Sequence, residues 1–550
     1  MLCHFESSSQ VEQNSSLAGL ELEVKAKAES ARIAKAAGLV SAMTLVSRVL
    51  GLVREQVFAA LLGAGYHSDA FRIAFRIPNL LRDLFAEGAL SAAFVPTYAR
   101  ARHDEQQAAF RLASRVFSFV AVVLGALVVV GVILAWPIVS GIAPGFDDAP
   151  GKAELTVRLT RVMMPFLPLV SFAAVAMGML NAEGRFGIPA LSPALFNAVA
   201  ILWAAVLYLM GLGADQVVLG WAFGTLAGGL AQFLVQVPSL RRLGFRFRPE
   251  WAPGDPGLRQ IGRLMAPATV GLAAVQVNIF VSSIFASSEP GAVSWLDYAF
   301  RLLYLPIGLF GVALGTIATA GLARKAAEAD FDGLRTTLRQ SLSMLAFLTL
   351  PATVGLIALG VPVVRLLYER GRFTAADTQA TAAALFLYAF GLVGYTGVKV
   401  LAPAFYALGR PRVPLAASLV AVATNLVVIL AAHGTLGFRA IALGTALGSI
   451  LNASLLVGLF EKRVGGLVGH GLLRPVARMV LAALVMGASA RALSAWLETS
   501  LGTTGLVAQL ATGLVPVAVG IVLYLALTRA LRVGEADVLI GLLGRRRRTA

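Results

Sequence analysis

The chain has 550 residues, of which 58% are hydrophobic and 14% are charged, and its formal net charge is +17. Apolar segments of about 20 residues recur along most of its length, and each can cross a hydrocarbon core of roughly 30 Å. This composition excludes a soluble domain and indicates a polytopic α-helical membrane protein. The single cysteine, Cys3, excludes an intramolecular disulfide and a cysteine-based metal cluster. The five histidines have no paired ligand spacing, so we expect no metal and no cofactor.

The apolar segments predict fourteen membrane-spanning helices. Residues 1–36 precede them and are polar with no apolar stretch, so we expect a disordered or surface-lying extension rather than a signal peptide. The predicted spans are 37–62, 71–98, 112–141, 155–180, 188–211, 217–240, 262–286, 291–322, 339–360, 378–407, 414–432, 439–460, 477–497 and 504–528.

Lysine and arginine are distributed unevenly between the connections that join these spans. The connections on one side, with the C-terminal tail, hold 26 of them, whereas those on the other side hold four. Because cytoplasmic connections are enriched in Lys and Arg, this asymmetry predicts that both termini are cytoplasmic. The terminal RRRR at 545–548 fits a topology signal or an anionic-lipid contact, and we expect no nucleic-acid partner.

The chain also repeats itself at an offset of 225 residues. The offset matches residues in equivalent helices or loops, such as Ala74-Phe75-Arg76 with Ala299-Phe300-Arg301, and Gly184-Arg185 with Gly409-Arg410. It covers six spans, an even number, so the two copies insert in the same direction. Parallel halves related by an axis along the membrane normal are a transporter architecture, with the substrate site between them.

The predicted fold is therefore an all-α polytopic membrane protein with two pseudo-symmetric, parallel six-helix lobes and two C-terminal helices. The N-terminal lobe covers 37–250 and the C-terminal lobe covers 251–462. The last two helices, within 463–532, lie outside the repeat, and 533–550 form a basic cytoplasmic tail.

The basic residues of the first two spans are unusual for membrane helices. One arginine at the centre of a lipid-exposed helix costs roughly 2.5–3.5 kcal/mol, so we expect these side chains to face a shared, hydrated interior. Planar guanidinium groups make bidentate contacts to phosphate oxygens, and several together suit a diphosphate. The residues are Arg48, Arg54, Arg72, Arg76 and Arg82, joined by Arg301 in span eight and Lys399 in span ten.

Other interpretations of the charged residues stay open. A buried arginine and carboxylate often only lock two helices together, and Arg76 with Asp83 fits that description. Arg72 lies near a predicted span end, where a long side chain can reach the membrane interface. The acidic residues Asp69, Asp83 and Glu87 could serve as gate partners or as a coupling-ion site.

Catalysis has little support in the sequence. The chain contains no HExxH, GxSxG or Walker A motif and no paired acidic motif that would hold a metal for glycosyl or phosphoryl transfer. No soluble stretch is long enough for the nucleotide domain of an ATP-driven pump. We therefore predict a transporter rather than an enzyme, driven by an ion gradient, by membrane potential, or by substrate supply and removal.

Five segments of the chain resemble one known family. They are SRVLGLVRE (47–55), HSDAF (67–71), IPNLLRDLFAEGALSAAFVP (77–96), GVALGT (311–316) and VKVLAPAFYALGRP (398–411). In them the sequence resembles the MurJ/MviN family, the lipid II flippases of the bacterial inner membrane. The resemblance implies two lobes that open alternately to cytoplasm and periplasm, and a lateral groove for the lipid tail at the last two helices. The implied substrate is undecaprenyl diphosphate bearing the peptidoglycan disaccharide–pentapeptide.

The resemblance also assigns roles to individual residues. The family's substrate arginines match Arg48, Arg54, Arg82 and Arg301. Its acidic residues match Asp69 and Glu87, and we add Arg76, Asn79 and Lys399 as supporting or gating residues.

Three positions depart from the family pattern. Family members commonly carry an Asp before the eighth-helix arginine and an acidic residue one turn later, where this chain has Phe300 and Tyr304. A basic residue often follows the second-helix arginine, where this chain has Asp83. The charge balance of the site and the identity of any coupling ion are therefore open.

Several alternatives remain for the function and the partners. The nearest is a flippase for another polyprenyl-diphosphate glycan. A drug or metabolite exporter of the same superfamily is less favoured, because cationic substrates favour a carboxylate-lined cavity. A non-transporting membrane scaffold would have no use for so many buried cations. The expected partners are lipid II and membrane lipids, with cell-wall synthesis proteins as candidates.

The topology can be tested with reporter fusions. Fusions after Arg102, after Arg248 and at the C-terminus should report the cytoplasm, because these positions lie within Lys- and Arg-rich segments. A fusion near Asp148 should report the periplasm. Arg185 and Arg410 are repeat equivalents, so finding them on opposite sides of the membrane would contradict the parallel repeat.

Overall fold

The computed structural model describes residues 38–82, 89–467 and 471–546, and the described residues are almost entirely helical. This confirms the prediction of an all-α membrane fold. The expected N-terminal extension at 1–36 lies outside the described residues, as do Asp83 and Glu87.

The helices fall into three sets along the chain. The first helix group comprises α1 (38–62), α2 (Tyr66–Arg82), α3 (Ala89–Asp104), α4 (Gln106–Ile133), α5 (Ala135–Ile142), α6 (Lys152–Met163), α7 (Phe166–Ala182), α8 (Gly187–Leu209), α9 (Ala214–Leu234) and α10 (Val237–Arg242). The second helix group comprises α11 (Pro256–Ser287), α12 (Ala292–Pro306), α13 (Ala313–Ala327), α14 (Phe331–Tyr368), α15 (Ala375–Phe390), α16 (Leu392–Ala407), α17 (Arg412–Leu436) and α18 (Arg439–Arg463). The C-terminal helices are α19 (Leu473–Leu501), α20 (Leu506–Ala530) and α21 (Gly534–Arg546).

The described residues contain ten helical segments long and apolar enough to span a membrane, or eleven when the bent pair of α15 and α16 is counted. The predicted first span is helical but is not among them, because α1 carries Arg48, Arg54 and Glu55. The described parts of the predicted second span lie in α2 and α3, which are helical but short. The predicted seventh span lies in α11, where Gln276–Ser287 forms a shorter apolar stretch. The count of fourteen spans therefore stays a prediction.

Several predicted spans are broken rather than straight. In span eight, α12 ends at Pro306 and is followed by a π-helical segment, Ile307–Val312, before α13. In α14, Leu359 has non-helical backbone angles three residues before Pro362. A proline inside a helix removes a backbone hydrogen bond and its ring clashes with the preceding turn, which accounts for the kink.

The hydrophobic clusters show where the two helix groups meet. We call the end with the Lys- and Arg-rich connections the basic end and the other the opposite end. At the opposite end, one cluster joins both groups, with Phe146 of the first and Phe373 of the second. At the basic end, one cluster contains Tyr98 of the first group together with Leu258 of α11, and another contains Phe460 and other residues of the second group. The groups are thus packed together at the opposite end, whereas at the basic end the described clusters join the first group to the second through α11 alone.

Repeat equivalents touch each other where α2 meets α12. Asp69 accepts hydrogen bonds from the backbone and the hydroxyl of Ser294, which is its equivalent at the 225-residue offset. Arg72 donates to Asp297, again its own equivalent. A residue can contact its symmetry equivalent only close to the axis that relates the two copies. The axis of the predicted repeat would therefore pass between α2 and α12.

Candidate anion-binding site

A central cavity of about 270 Å³ lies between the helix groups and is lined by α1, α2, α8, α9 and α12. Its lining contains five arginines and two carboxylates, so these side chains carry a net formal charge of +3. The charged residues are Arg54, Arg72, Arg76, Arg82, Arg301, Glu55 and Asp297.

Helical spacing explains why these side chains converge. Arg72, Arg76 and Asn79 are separated by four and three residues, so they share one face of α2. On α12, Asp297 and Arg301 are four residues apart and also share a face. That face of α12 brings the second helix group's charge to the cavity, while the other lining residues come from the first group.

Glu55 of α1 is the centre of the ion-pair network. It is 8% exposed. One carboxylate oxygen, Oε1, lies 2.8 Å from a guanidinium nitrogen of Arg54 and 3.2 Å from one of Arg301. The other oxygen, Oε2, lies 3.6 Å from Arg72. One carboxylate thus contacts arginines from α1, α2 and α12.

Asp297 is the second carboxylate of the network. It accepts a 2.9 Å hydrogen bond from Nε of Arg301 and another hydrogen bond from Nη1 of Arg72. The pairs Arg301–Glu55 and Arg72–Asp297 therefore cross from one helix group to the other. They join the groups electrostatically at the cavity.

Aromatic rings hold two of the arginines by their faces. The guanidinium carbon of Arg54 lies 5.1 Å from the ring centroid of Phe196. That of Arg72 lies 4.1 Å from the ring of Tyr298 and 5.1 Å from the ring of Phe58. Such cation–π contacts favour the charged side chain in a dry setting. They leave the in-plane N–H groups available for hydrogen bonds.

The cavity contains most of the predicted binding residues. Arg54, Arg82 and Arg301 line it, as do the supporting residues Arg76 and Asn79. Arg76 donates to the hydroxyl of Ser283 on α11. Its predicted partner Asp83 lies outside the described residues.

Arg48 lies elsewhere. It lines an apolar groove of about 640 Å³ bordered by α1, α14, α19, α20 and the segment that joins α12 to α13. Among the described residues that line this groove, Arg48 is the one charged side chain. Residues of α1 such as Leu45 and Leu52 line the groove, whereas Glu55 and Phe58 line the cavity. The helix α1 thus separates the two spaces.

Asp69 is buried at the opposite end, where α2 meets the start of α12. Its carboxylate accepts hydrogen bonds from the backbone of Gly291 at 2.9 Å and from the backbone of Ser294 at 3.0 Å. Lys152 of α6, itself buried, lies 3.0 Å away. A carboxylate at a helix N-terminus satisfies free N–H groups and interacts favourably with the helix dipole. Asp69 therefore ties the first helix group to the second.

The structure does not place the predicted supporting residues Lys399 and Glu87 in the described part of the cavity lining. Lys399 is exposed on α16 and is not among the described residues that line the cavity. Glu87 lies outside the described residues. The part of the chain that the structure describes contains no group of three or more His, Cys, Asp or Glu side chains placed to hold a metal ion.

Sequence reasoning missed several residues of the site. The interpretation of Arg72 as a span-end residue reaching the interface is wrong, because its side chain is buried between the groups. Asp297 was not predicted, although the repeat offset pairs it with Arg72 and it precedes Arg301 by one helical turn. The opposite charges of Arg72 and Asp297 at positions related by the 225-residue offset could have predicted this ion pair. Lys152 had no sequence signal linking it to Asp69.

Comparisons with known proteins agree with this architecture. A family model described as lipid II flippase MurJ matches residues 58–512. The probable lipid II flippase MurJ of Vibrio cholerae is 35% identical over 523 residues, 92% of this chain and 98% of the relative. The lipid II flippase MurJ of Burkholderia cenocepacia is 35% identical over 497 residues, 89% of this chain and 94% of the relative.

Two solved structures share the fold. A lipid II flippase MurJ in an inward closed conformation aligns with a TM-score of 0.72 at 24% identity, covering 90% of this chain and 98% of that chain. An inward-facing multidrug transporter of the MATE family aligns with a TM-score of 0.61 at 18% identity, covering 79% of this chain and 99% of that chain. At these identities the likeness concerns the fold alone.

The tie at Asp69 can be tested by its effect on stability. Asp69→Asn should lower the free energy of unfolding by about 3–5 kcal/mol, because it leaves Lys152 buried without its carboxylate. Adding Lys152→Met should recover part of the loss, because the unpaired ammonium is gone. Both are measured by denaturation of the purified protein in detergent, with the exposed Asp148→Asn as control. A double variant no more stable than Asp69→Asn would contradict the pairing.

Proposed function

Because the chain belongs to the lipid II flippase MurJ family, we propose that it carries lipid II from the cytoplasmic to the periplasmic leaflet of the bacterial inner membrane. The observation that supports this best is the cavity between the helix groups, in which five arginines face two carboxylates. An excess of buried positive charge favours an anionic ligand. The protein acts as a transporter and not as an enzyme.

The diphosphate of the substrate fits the arginines of this cavity. Arg54, Arg82 and Arg301 extend from α1, α2 and α12, so the ligand is held from both helix groups. Each guanidinium offers paired N–H donors that match two phosphate oxygens. The diphosphate would replace the carboxylate contacts of Arg54 and Arg301 with stronger multidentate contacts.

The polyprenyl tail fits the apolar groove beside α1. The groove is lined almost entirely by apolar side chains from α14, α19 and α20, among others. Arg48 is part of its wall and lies next to the π-helical segment, where a Cβ on Gly308 would be 3.0 Å from its guanidinium. Arg48 would therefore contact the lipid where its tail leaves the diphosphate.

Alternating access follows from the way the groups pack. They share one extensive hydrophobic cluster at the opposite end, whereas at the basic end the described clusters join them through α11 alone. With the basic end in the cytoplasm, this arrangement admits substrate from the cytoplasmic side and blocks the periplasmic side. Asp69 serves as a gate residue, since the groups must release it from the start of α12 before the periplasmic side opens.

A flippase for another polyprenyl-diphosphate glycan would use the same arginines and the same groove, so it is the second candidate. An exporter of cationic drugs is disfavoured, because its substrate would meet a net positive cavity. The two flippase functions differ in the glycan that the lipid carries. Measuring which lipid-linked glycan accumulates in depleted cells therefore distinguishes them.

Depletion of the protein in its own bacterium tests the function. Lipid II should accumulate in the cytoplasmic leaflet, because synthesis continues while transfer stops. The measurement adds an impermeant lipid II-cleaving enzyme outside spheroplasts and quantifies the protected fraction. Unchanged protection, or accumulation of a different lipid-linked glycan, would contradict the assignment to lipid II.

Single arginine variants test the site. Arg54→Ala and Arg301→Ala should each lose about 1.5–3 kcal/mol of binding, typical of hydrogen bonds to charged groups, and fail to complement depletion. The protein should still accumulate, because Glu55 and Asp297 each keep another arginine. Arg→Lys should rescue only in part, since lysine keeps the charge without the fork. The exposed Arg111→Ala is the control, and loss of protein in both site variants would favour a structural role.

A further inference from the structure

Arg72 is buried in the cavity wall with part of its hydrogen-bonding capacity unused. The residue is 6% exposed and lines the cavity. Its Nη1 donates to Asp297, but Nε and Nη2 have no hydrogen-bond partner among the described residues. The 3.6 Å separation from Glu55 is too long for a hydrogen bond. Buried polar groups nearly always have partners, so two open donors in a cavity wall indicate a ligand.

The rings around Arg72 fix where those donors can act. Tyr298 and Phe58 cover the faces of its guanidinium. An N–H group hydrogen-bonds in the plane of the guanidinium, so an acceptor must approach at the edge rather than over a face. The cavity that Arg72 lines is where such an acceptor can be placed.

Asp297 accepts the one hydrogen bond that the Arg72 guanidinium makes to a described residue, from Nη1. Its carboxylate binds Arg72 from the first helix group and Arg301 from its own helix. Its side chain is 25% exposed, whereas that of Arg72 is 5% exposed, so the carboxylate is the partner with room to move.

We propose that Arg72 is a further contact for the substrate's diphosphate and that Asp297 is its resident counter-ion, which the diphosphate displaces. This inference rests on the proposed function, since it needs a diphosphate in the cavity. The phosphate oxygens satisfy Nε and Nη2 of Arg72 and compete with Asp297 for Nη1 and for Arg301. Asp297 offsets one of the positive charges of the cavity when no diphosphate is bound.

The exchange has a consequence for transport. The Arg72–Asp297 pair crosses between the helix groups beside the axis of the repeat. When the diphosphate displaces Asp297, an ion pair that joins the two helix groups is lost. A ligand shifts a conformational equilibrium only through its different affinity for the two states, and competition with an inter-group ion pair supplies such a difference.

A purely structural ion pair makes different predictions. If Arg72 and Asp297 only locked α2 to α12, removing the carboxylate would destabilise the protein, and Arg72 would make no contact with the diphosphate. If Asp297 competes with the substrate, removing its charge raises the affinity. Loss of a cavity carboxylate also favours an anion through charge alone, so the effect of Arg72→Gln in the Asp297→Asn background tests the direct contact.

The test measures binding of farnesyl diphosphate to the full chain in nanodiscs by calorimetry, with farnesol as the ligand lacking the diphosphate. Asp297→Asn should tighten binding about tenfold, whereas Arg72→Gln should weaken it about 10- to 100-fold, both alone and in the Asp297→Asn background. Two separate variants at exposed positions, Asp332→Asn and Arg111→Gln, are the matched controls. Each should bind farnesyl diphosphate as the parent protein does.

Each remaining outcome has a defined meaning. Unchanged or weaker binding by Asp297→Asn, or parental binding by Arg72→Gln, would overturn this inference while leaving the proposed function in place. If Arg72→Gln is not monodisperse, Arg72→Lys replaces it and should still bind at least several-fold more weakly; parental affinity would again overturn the inference. If the parent does not bind farnesyl diphosphate, or binds it independently of Arg54 and Arg301, the anion site of the proposed function fails as well.

Discussion

A guanidinium group that leaves water for a membrane interior needs negative charge or hydrogen-bond acceptors, and in this protein Glu55 is the group on which the arginines converge. It receives Arg54, Arg72 and Arg301 from three different helices. One carboxylate therefore connects α1, α2 and α12. Asp297 is the other carboxylate among the described lining residues, so the cavity keeps an excess of positive charge. The two carboxylates join the helices around the cavity, and they offset only part of the positive charge of the arginines.

The same network lies beside the place where the helix groups close on each other. Asp69 ties α2 to the start of α12, and Arg72 pairs with Asp297 one turn further along the same two helices. Each of these residues contacts the residue 225 positions later, Ser294 for Asp69 and Asp297 for Arg72. In the exchange that we propose, an anion bound at Arg72 would therefore compete with a contact that joins the two groups.

Hydropathy predicted the class of fold and intramembrane charge predicted the arginines that line the cavity, because both are local properties of the sequence. The 225-residue repeat stays a prediction. Sequence reasoning misjudged Arg72, since the second span was predicted to begin at residue 71, whereas α2 begins at Tyr66 and places Arg72 inside the helix. It grouped Arg48 with Arg54, although six residues separate them by about 120° around a helix, and the structure has Arg48 in the groove. Asp297 and Lys152 required tertiary contacts that no sequence pattern specifies.

The partition made by α1 relates the shape of the protein to the chemistry of its proposed substrate. A lipid-linked diphosphate has a charged head and an apolar tail joined by one covalent bond, so the spaces that hold them must be adjacent. Leu52 of α1 lines the groove, and Glu55, less than one turn later, lines the cavity. Across from α1, the π-helical segment after Pro306 brings Gly308, which has no side chain, against Arg48. A π-helical turn interrupts regular helical packing and often occurs at functional sites. Here it gives room for a cation at the boundary between the two spaces, where the first phosphate of such a lipid would lie.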